Sequence, residues 1–138
     1  MDETDSKLLS LLSSDASQTN TQLAKAVGLT EAAIRKRVKK LLANGAIKKF
    51  TIELGDEVGG NFSAICLVSI GSGKPAAAVA KKIKSLHGVR SLYEITGDYD
   101  LSIRLEAESS EKLNELLDEI RNVEGVKNTA TNIILKKW

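Results

Sequence analysis

A single cysteine, Cys66, rules out a disulfide within the chain, and a single histidine, His87, adds little to so poor a set of soft metal ligands. No apolar run approaches the roughly 20 residues that a membrane span needs. No signal-peptide pattern opens the sequence. Phosphate-loop, dinucleotide-binding and Ser/His/acid patterns are all missing. Asp98 and Asp100 can bind a hard metal, but no nearby histidine or further acid cluster completes a catalytic set. The expectation is a reduced, cytoplasmic protein that is not an enzyme, with no resident metal, cofactor or membrane partner. What is present, 42% hydrophobic and 28% charged residues in a chain of 138, suits one ordinary globular domain or two small ones.

Charge is unevenly placed. Residues 1–50 carry 9 Lys+Arg against 5 Asp+Glu, a surplus of +4, and residues 51–138 carry 11 against 13, or −2. The surplus sits mostly in Arg35-Lys36-Arg37-Val38-Lys39-Lys40. A basic head on a neutral-to-acidic body favours nucleic acid as a partner.

The first 50 residues read as three helices. Leu8, Leu11 and Leu12 form an i, i+3, i+4 stripe in a helix from about Glu3 to Ser13. Thr19 or Asn20 can cap a second helix that buries Leu23, Ala24 and Val27 and ends at Gly28. Thr30 caps a third, with Ile34, Val38, Leu41 and Leu42 on one side and Asn44-Gly45 as its stop. Ile47–Leu54 alternates and reads as a strand or hinge.

Farther on, Ile83–Ser91 and Ile120–Asn128 are one nine-residue phrase written twice, 37 positions apart. Each runs from a helix end through a Gly turn, Gly88 or Gly125, into a strand, so the C-terminal part is a duplicated unit. Strands at Phe62–Ile70, Val89–Thr96, Leu101–Ala107 and Val126–Leu135 alternate with helices at Pro75–Leu86 and from Ser109 or Ser110 to Arg121. The order β-α-β-β-α-β is the split βαβ, ferredoxin-like arrangement, with both helices on one face of an antiparallel sheet. The fold class is therefore α+β, divided as residues 1–50, a hinge or linker at 51–60, and residues 61–138. Phe62–Ile70 is apolar on both sides, since Ile65 and Leu67 alternate with Phe62, Ala64, Cys66, Val68 and Ile70. With helices for one face only, a second subunit is the expected cover, giving a homodimer.

The third helix has the makings of a DNA reader. With Ile34, Val38 and Leu41 inward, Ala32, Lys36, Lys39 and Lys40 fall outward, flanked by Ala33 and Arg35. The alanines allow close approach to a groove, and the bases reach phosphates. Thr30, Ala32, Ala33, Arg35, Lys36, Arg37, Lys39 and Lys40 are the candidate DNA contacts. The bland alternative is a solvated helix face. Five of the six positions in the run share one sign and follow a capped helix-turn-helix pattern, which favours double-stranded DNA. A lysine-rich face argues for modest intrinsic specificity.

The chain resembles the Lrp/AsnC (feast/famine) transcription regulators over nearly its whole length. The matching residues are Asp2-Glu3-Thr4-Asp5-Ser6-Lys7-Leu8-Leu9, Leu23-Ala24, Val27-Gly28-Leu29-Thr30, Arg37-Val38 and Leu41. They continue with Asn44-Gly45-Ala46-Ile47-Lys48-Lys49-Phe50, Thr96-Gly97-Asp98-Tyr99-Asp100, Gly125-Val126 and Thr129-Ala130-Thr131. The Gly-Asp-Tyr-Asp turn after a winged-type helix-turn-helix is the specific part. The resemblance implies dimers built through C-terminal sheets and hinge strands, often assembled into octamers. It also implies an amino-acid effector bound between dimers that changes DNA affinity or assembly. Its pocket would involve Glu94, Ile95, Thr96, Gly97, Asp98, Tyr99 and Asp100, with Asn114 and Asp118 from the second helix and Thr129, Ala130 and Thr131 from the last strand.

The chemistry of those residues is consistent with that. Asp98 and Asp100 offer carboxylates to an ammonium, the glycine turn offers backbone amides to a carboxylate, and Thr129 and Thr131 point hydroxyls to one side of a strand. Asn114 and Asp118, at i, i+4, can grip a polar or cationic side chain, which favours glutamine, lysine or arginine. Each has a duller reading as well: a hairpin turn, surface polar residues, ordinary strand residues. An effector-independent DNA-organising protein of the same fold is the alternative function. His87 reads as a turn residue and Cys66 as core.

Overall fold

The computed structural model describes residues 1–55, Val58 and residues 61–138, and the chain divides into two compact units, Met1–Glu53 and Leu54–Trp138. Among the described residues no helix is long and apolar enough to cross a membrane.

The first unit contains α1 (Glu3–Ser14), α2 (Asn20–Val27) and α3 (Glu31–Ala43). Local sequence sets each start. Asp2 and Asp5 form a reciprocal capping box at α1, Thr19 and Gln22 form another at α2, and the Thr30 hydroxyl accepts from the Ala33 amide at α3. Gly28, at φ +73°, ends α2 in the left-handed region and so turns the chain into α3. The apolar stripes meet in a core of Leu8, Leu23, Ala24, Ile34 and Leu41. Each fully buried Leu or Ile contributes about 1.5–3 kcal/mol. Leu42, expected on the inner side of α3, is instead exposed, because it lies 100° beyond Leu41 on a helix whose buried stripe is narrow.

Ile47–Leu54 forms no strand, contrary to its alternating pattern. Phe50, Ile52 and Leu54 are exposed, and an extended segment becomes a strand only when a neighbour completes its hydrogen-bond ladder. Of the expected hinge at 51–60, residues 56, 57, 59 and 60 lie outside the described residues.

The second unit runs β1 (Phe62–Ile70), α4 (Ala76–Lys84), β2 (Val89–Glu94), β3 (Leu101–Ala107), α5 (Ser110–Arg121) and β4 (Val126–Ile133). Its strands form one antiparallel sheet in the order β2-β3-β1-β4. Ala64, Cys66 and Val68 of β1 pair with Leu105, Ile103 and Leu101 of β3 and share a buried cluster with Val79, Ile83, Leu113, Leu116, Leu117 and Ile120 of the two helices. Both helices therefore cover one face. The other face carries Ile65, Leu67 and Tyr93, with Ile65 40% and Tyr93 62% exposed. Pro75 sits just before α4 rather than in its first turn, since its ψ of 124° is extended.

The duplicated turns lock the two halves together. Gly88 and Gly125 have φ of +98° and +101°. A Cβ on Gly88 would lie 2.8 Å from the Glu106 carbonyl oxygen and 2.8 Å from Leu116 Cδ2 of α5, in the other half of the duplication. A Cβ on Gly125 would lie 2.7 Å from Val79 Cγ2 of α4. The backbone bonds are reciprocal too, Glu106 N–H donating to the Gly88 carbonyl and Gly71 N–H to that of Gly125, both at 2.9 Å. Gly88→Ala should therefore destabilise this unit by about 2–4 kcal/mol, from left-handed strain added to a backbone clash. Denaturant unfolding of the variant beside the parent measures it, and a loss under about 1 kcal/mol would mean that the turn yields.

Candidate nucleic-acid interface and effector site

The outward face of α3 is built by its inward one. With Ile34 and Leu41 buried, Ala32, Arg35, Lys36, Lys39 and Lys40 are exposed, Ala33 is half-buried and Thr30 stands exposed at the helix start. Among the described residues the four cations Arg35, Lys36, Lys39 and Lys40 form no ion pair. Their charges are free to meet phosphate without breaking an internal contact.

Arg37 is placed differently from its neighbours in the run. It lies three residues after Ile34 and four before Leu41, on the inner side, and its Nη1 donates to Asp2 Oδ2 and Asp5 Oδ1, each at 2.7 Å. The geometry thus assigns it to α1 rather than to the outward basic face. The bond from Arg37, with the backbone bond each aspartate accepts from the other, holds both carboxyls below their ordinary value of 3.8. A depressed carboxylate stabilises the fold fully above that ordinary value and loses its contribution as pH falls through the lower folded one. The spacing from Ile34 and Leu41 was the signal for this placement. Asp2-x-x-Asp5 at the start of α1 supplied the partners.

In the second unit, two of the expected effector segments converge on the end of β1. Val68 pairs with Leu101 on one side and Thr129 on the other. The turn before β3 is fastened there through Asp100, whose N–H donates to the Val68 carbonyl at 2.9 Å. Its carboxylate Oδ2 accepts from the Ile70 N–H at 2.6 Å, and its carbonyl accepts from Ile95 N–H at 2.9 Å. Asp100 is therefore a fastener of the turn with one carboxylate oxygen already engaged. Thr96, Gly97 and Asp98 are exposed at the tip, while Ile95 and Tyr99 are half-buried and Glu94 ends β2 exposed.

Strand register divides the β4 residues. Thr129 and Thr131 pair with Val68 and Cys66 and so face the helix layer, whereas Ala130 pairs with Leu67 and faces the open side. The hydroxyl oxygens of Thr131 and of Ser69, on β1, are both buried, the first beside the Cys66 thiol on the helix side and the second on the opposite face of the sheet. Ser69 was missed in the sequence, where it reads as one more polar position in a strand. Asn114 and Asp118 are exposed on α5, outside its Leu113, Leu116, Leu117 and Ile120 stripe. Asp118 Oδ1 accepts from Arg121 Nη1 at 2.9 Å, so its charge is shared within the helix. Neither makes a hydrogen bond to the Glu94–Asp100 segment among the described residues. Burial pushes the Cys66 thiol up, which keeps it a neutral core group.

Comparison with known proteins matches both units. The AsnC-type helix-turn-helix domain matches residues 1–42, and the Lrp/AsnC ligand binding domain matches residues 63–138. The transcriptional regulator LysM of Saccharolobus solfataricus is 40% identical over 138 residues, which is all of this chain and 96% of that protein. The transcriptional regulator FL11 of Pyrococcus furiosus is 36% identical over 137 residues, covering 99% of this chain and 90% of its own. The regulator NMB0573 of Neisseria meningitidis, solved in complex with L-methionine, superposes with a TM-score of 0.81 at 26% identity, over 99% of this chain and 91% of that one. With both of its domains matched and full-length relatives at this identity, the chain belongs to the Lrp/AsnC family of helix-turn-helix transcriptional regulators.

Proposed function

We propose that this regulator binds specific DNA sites through α3 and that a free amino acid, held by the second unit between dimers, sets its DNA binding or assembly. The observation that carries the reading is the convergence of an exposed glycine turn, fastened through Asp100, and a threonine-bearing strand on one end of β1. The complex of NMB0573 with L-methionine supports an amino acid as the class. Asp98 carries no internal partner among the described residues and can receive an ammonium, while Asn114 and Asp118 favour a polar or cationic side chain, hence glutamine, lysine or arginine. A second copy of the chain, placed on the open face at Ile65, Leu67 and Tyr93, is the natural cover for apolar groups otherwise left in water.

Thermal unfolding against the twenty amino acids, one at a time at millimolar concentration, tests the effector. A ligand at about 100 times its Kd stabilises by roughly 2.7 kcal/mol per site. The expected result is a shift selective for one of the three named amino acids and abolished by Asp118→Ala. A flat response across the panel would favour the effector-independent DNA organiser. For the DNA surface, Lys36→Ala combined with Lys39→Ala should reduce the salt dependence of DNA binding by about one unit of log–log slope per lost phosphate contact. An unchanged slope would move the DNA surface away from α3.

A further inference from the structure

The Asp2–Asp5–Arg37 cluster is a closed network. Asp2 Oδ1 accepts from the Asp5 amide at 2.8 Å and Asp5 Oδ2 from the Asp2 amide at 3.2 Å. The two remaining oxygens each accept from Arg37 Nη1 at 2.7 Å. All four carboxylate oxygens are thereby used, and Asp5 is only 5% exposed. The same box starts α1, so one arginine in the middle of α3 is pinned to the first turn of α1.

We propose that Arg37 is a positioning residue for DNA binding, fixing the roll of α3 through Asp2 and Asp5 and holding no phosphate itself. The inference rests on α3 being the DNA-contacting helix. Two facts separate Arg37 from a phosphate contact. Its guanidinium faces two carboxylates, so the cluster presents a net charge of −1, and its side chain is 30% exposed beside a buried aspartate. Placement matters because α3 approaches DNA by two kinds of group. The lysine tails adapt to a shift, but the helix start at Ala32 and Ala33 has no long side chain with which to do so. A helix with its side chains is about 10–12 Å across, so a roll of about 20° displaces its outer surface by about 2 Å. That exceeds the few tenths of an ångström that hydrogen bonds to bases and phosphates tolerate. The hydrophobic contacts of Ile34 and Leu41 resist such a roll only weakly, being non-directional, whereas charge-assisted bonds to a capped helix start are directional.

The test is titration of random-sequence duplex DNA with the full chain over a series of salt concentrations, for Asp5→Asn, Arg37→Met, Arg37→Lys and, as comparator, Lys36→Ala. Melting curves set the temperature well below unfolding for each variant, so the affinity read is that of folded protein. Asp5→Asn and Arg37→Met should each weaken binding by roughly tenfold at fixed salt. Their salt slope should stay that of the parent, Arg37→Lys should recover most of the loss, and Lys36→Ala should lower the slope by about one unit. Asp5→Asn is decisive in sign, since it removes a negative charge and simple attraction to DNA predicts tighter binding. Tighter binding by Asp5→Asn, or a slope lowered by about one unit in Arg37→Met, would overturn the proposal and make Arg37 a phosphate contact. Unchanged affinity in both would leave the network a purely structural one. A slope unchanged in Lys36→Ala would sink the α3 reading itself.

Discussion

Reciprocal packing of the two glycine turns is the constraint on which the C-terminal unit depends. Gly88 lets β2 start directly beneath α5, and Gly125 lets β4 start directly beneath α4, at separations that leave no room for a side chain. Each half of the duplication is thus closed by the helix of the other. Both helices are drawn to one face, where they bury Ala64, Cys66 and Val68 to full exclusion of solvent. The cost of that economy is the opposite face. Ile65 and Tyr93 stay exposed there, because a split βαβ unit with two helices has nothing left to cover a second side.

The same arrangement explains where a ligand site can form. β1 is central, paired with β3 on one edge and β4 on the other, so its last residues meet the turn before β3 and the start of β4. Asp100 ties that turn to β1 by two bonds, at Val68 and Ile70, and closes the turn on itself by a third, at Ile95. The fastening sets the exposed tip of Thr96, Gly97 and Asp98 as a firm edge rather than a loose hairpin, and a binding edge gains from being held before the ligand arrives.

Much of this was readable in the sequence where the signal was local. Thr19, Thr30 and Ser109 announce helix starts through side chains that reach amides three residues on, and Gly28 announces a stop. The nine-residue repeat pointed to the order of elements, and the two-sided apolarity of β1 marked a sheet with one face not covered by helices. What was not readable depends on direction and distance. Arg37 stands in a run of like charges, and only its place between Ile34 and Leu41 tells that it turns inward to carboxylates 32 and 35 residues away. Asp100 reads as a turn residue or a ligand carboxylate, yet its carboxylate meets an amide 30 residues distant. Ile47–Leu54 has a strand's alternation, but period alone supplies no neighbouring edge to bond with.

Charge placement on α3 follows from these two kinds of constraint acting on one helix. A run of five cations in six positions is self-repelling, and leaving all of them in solvent would disfavour the helix that holds them. The fold answers by removing one, Arg37, into a carboxylate pair and leaving Arg35, Lys36, Lys39 and Lys40 outward without partners among the described residues. Unpartnered cations bind a polyanion without first giving up an internal contact, so the gain from released counterions is undiminished. Arg37 is instead committed to the two carboxylates at the start of α1. Outward and inward cations thus stand side by side on a single helix, and the chemical similarity of Arg35, Lys36 and Arg37 conceals different surroundings.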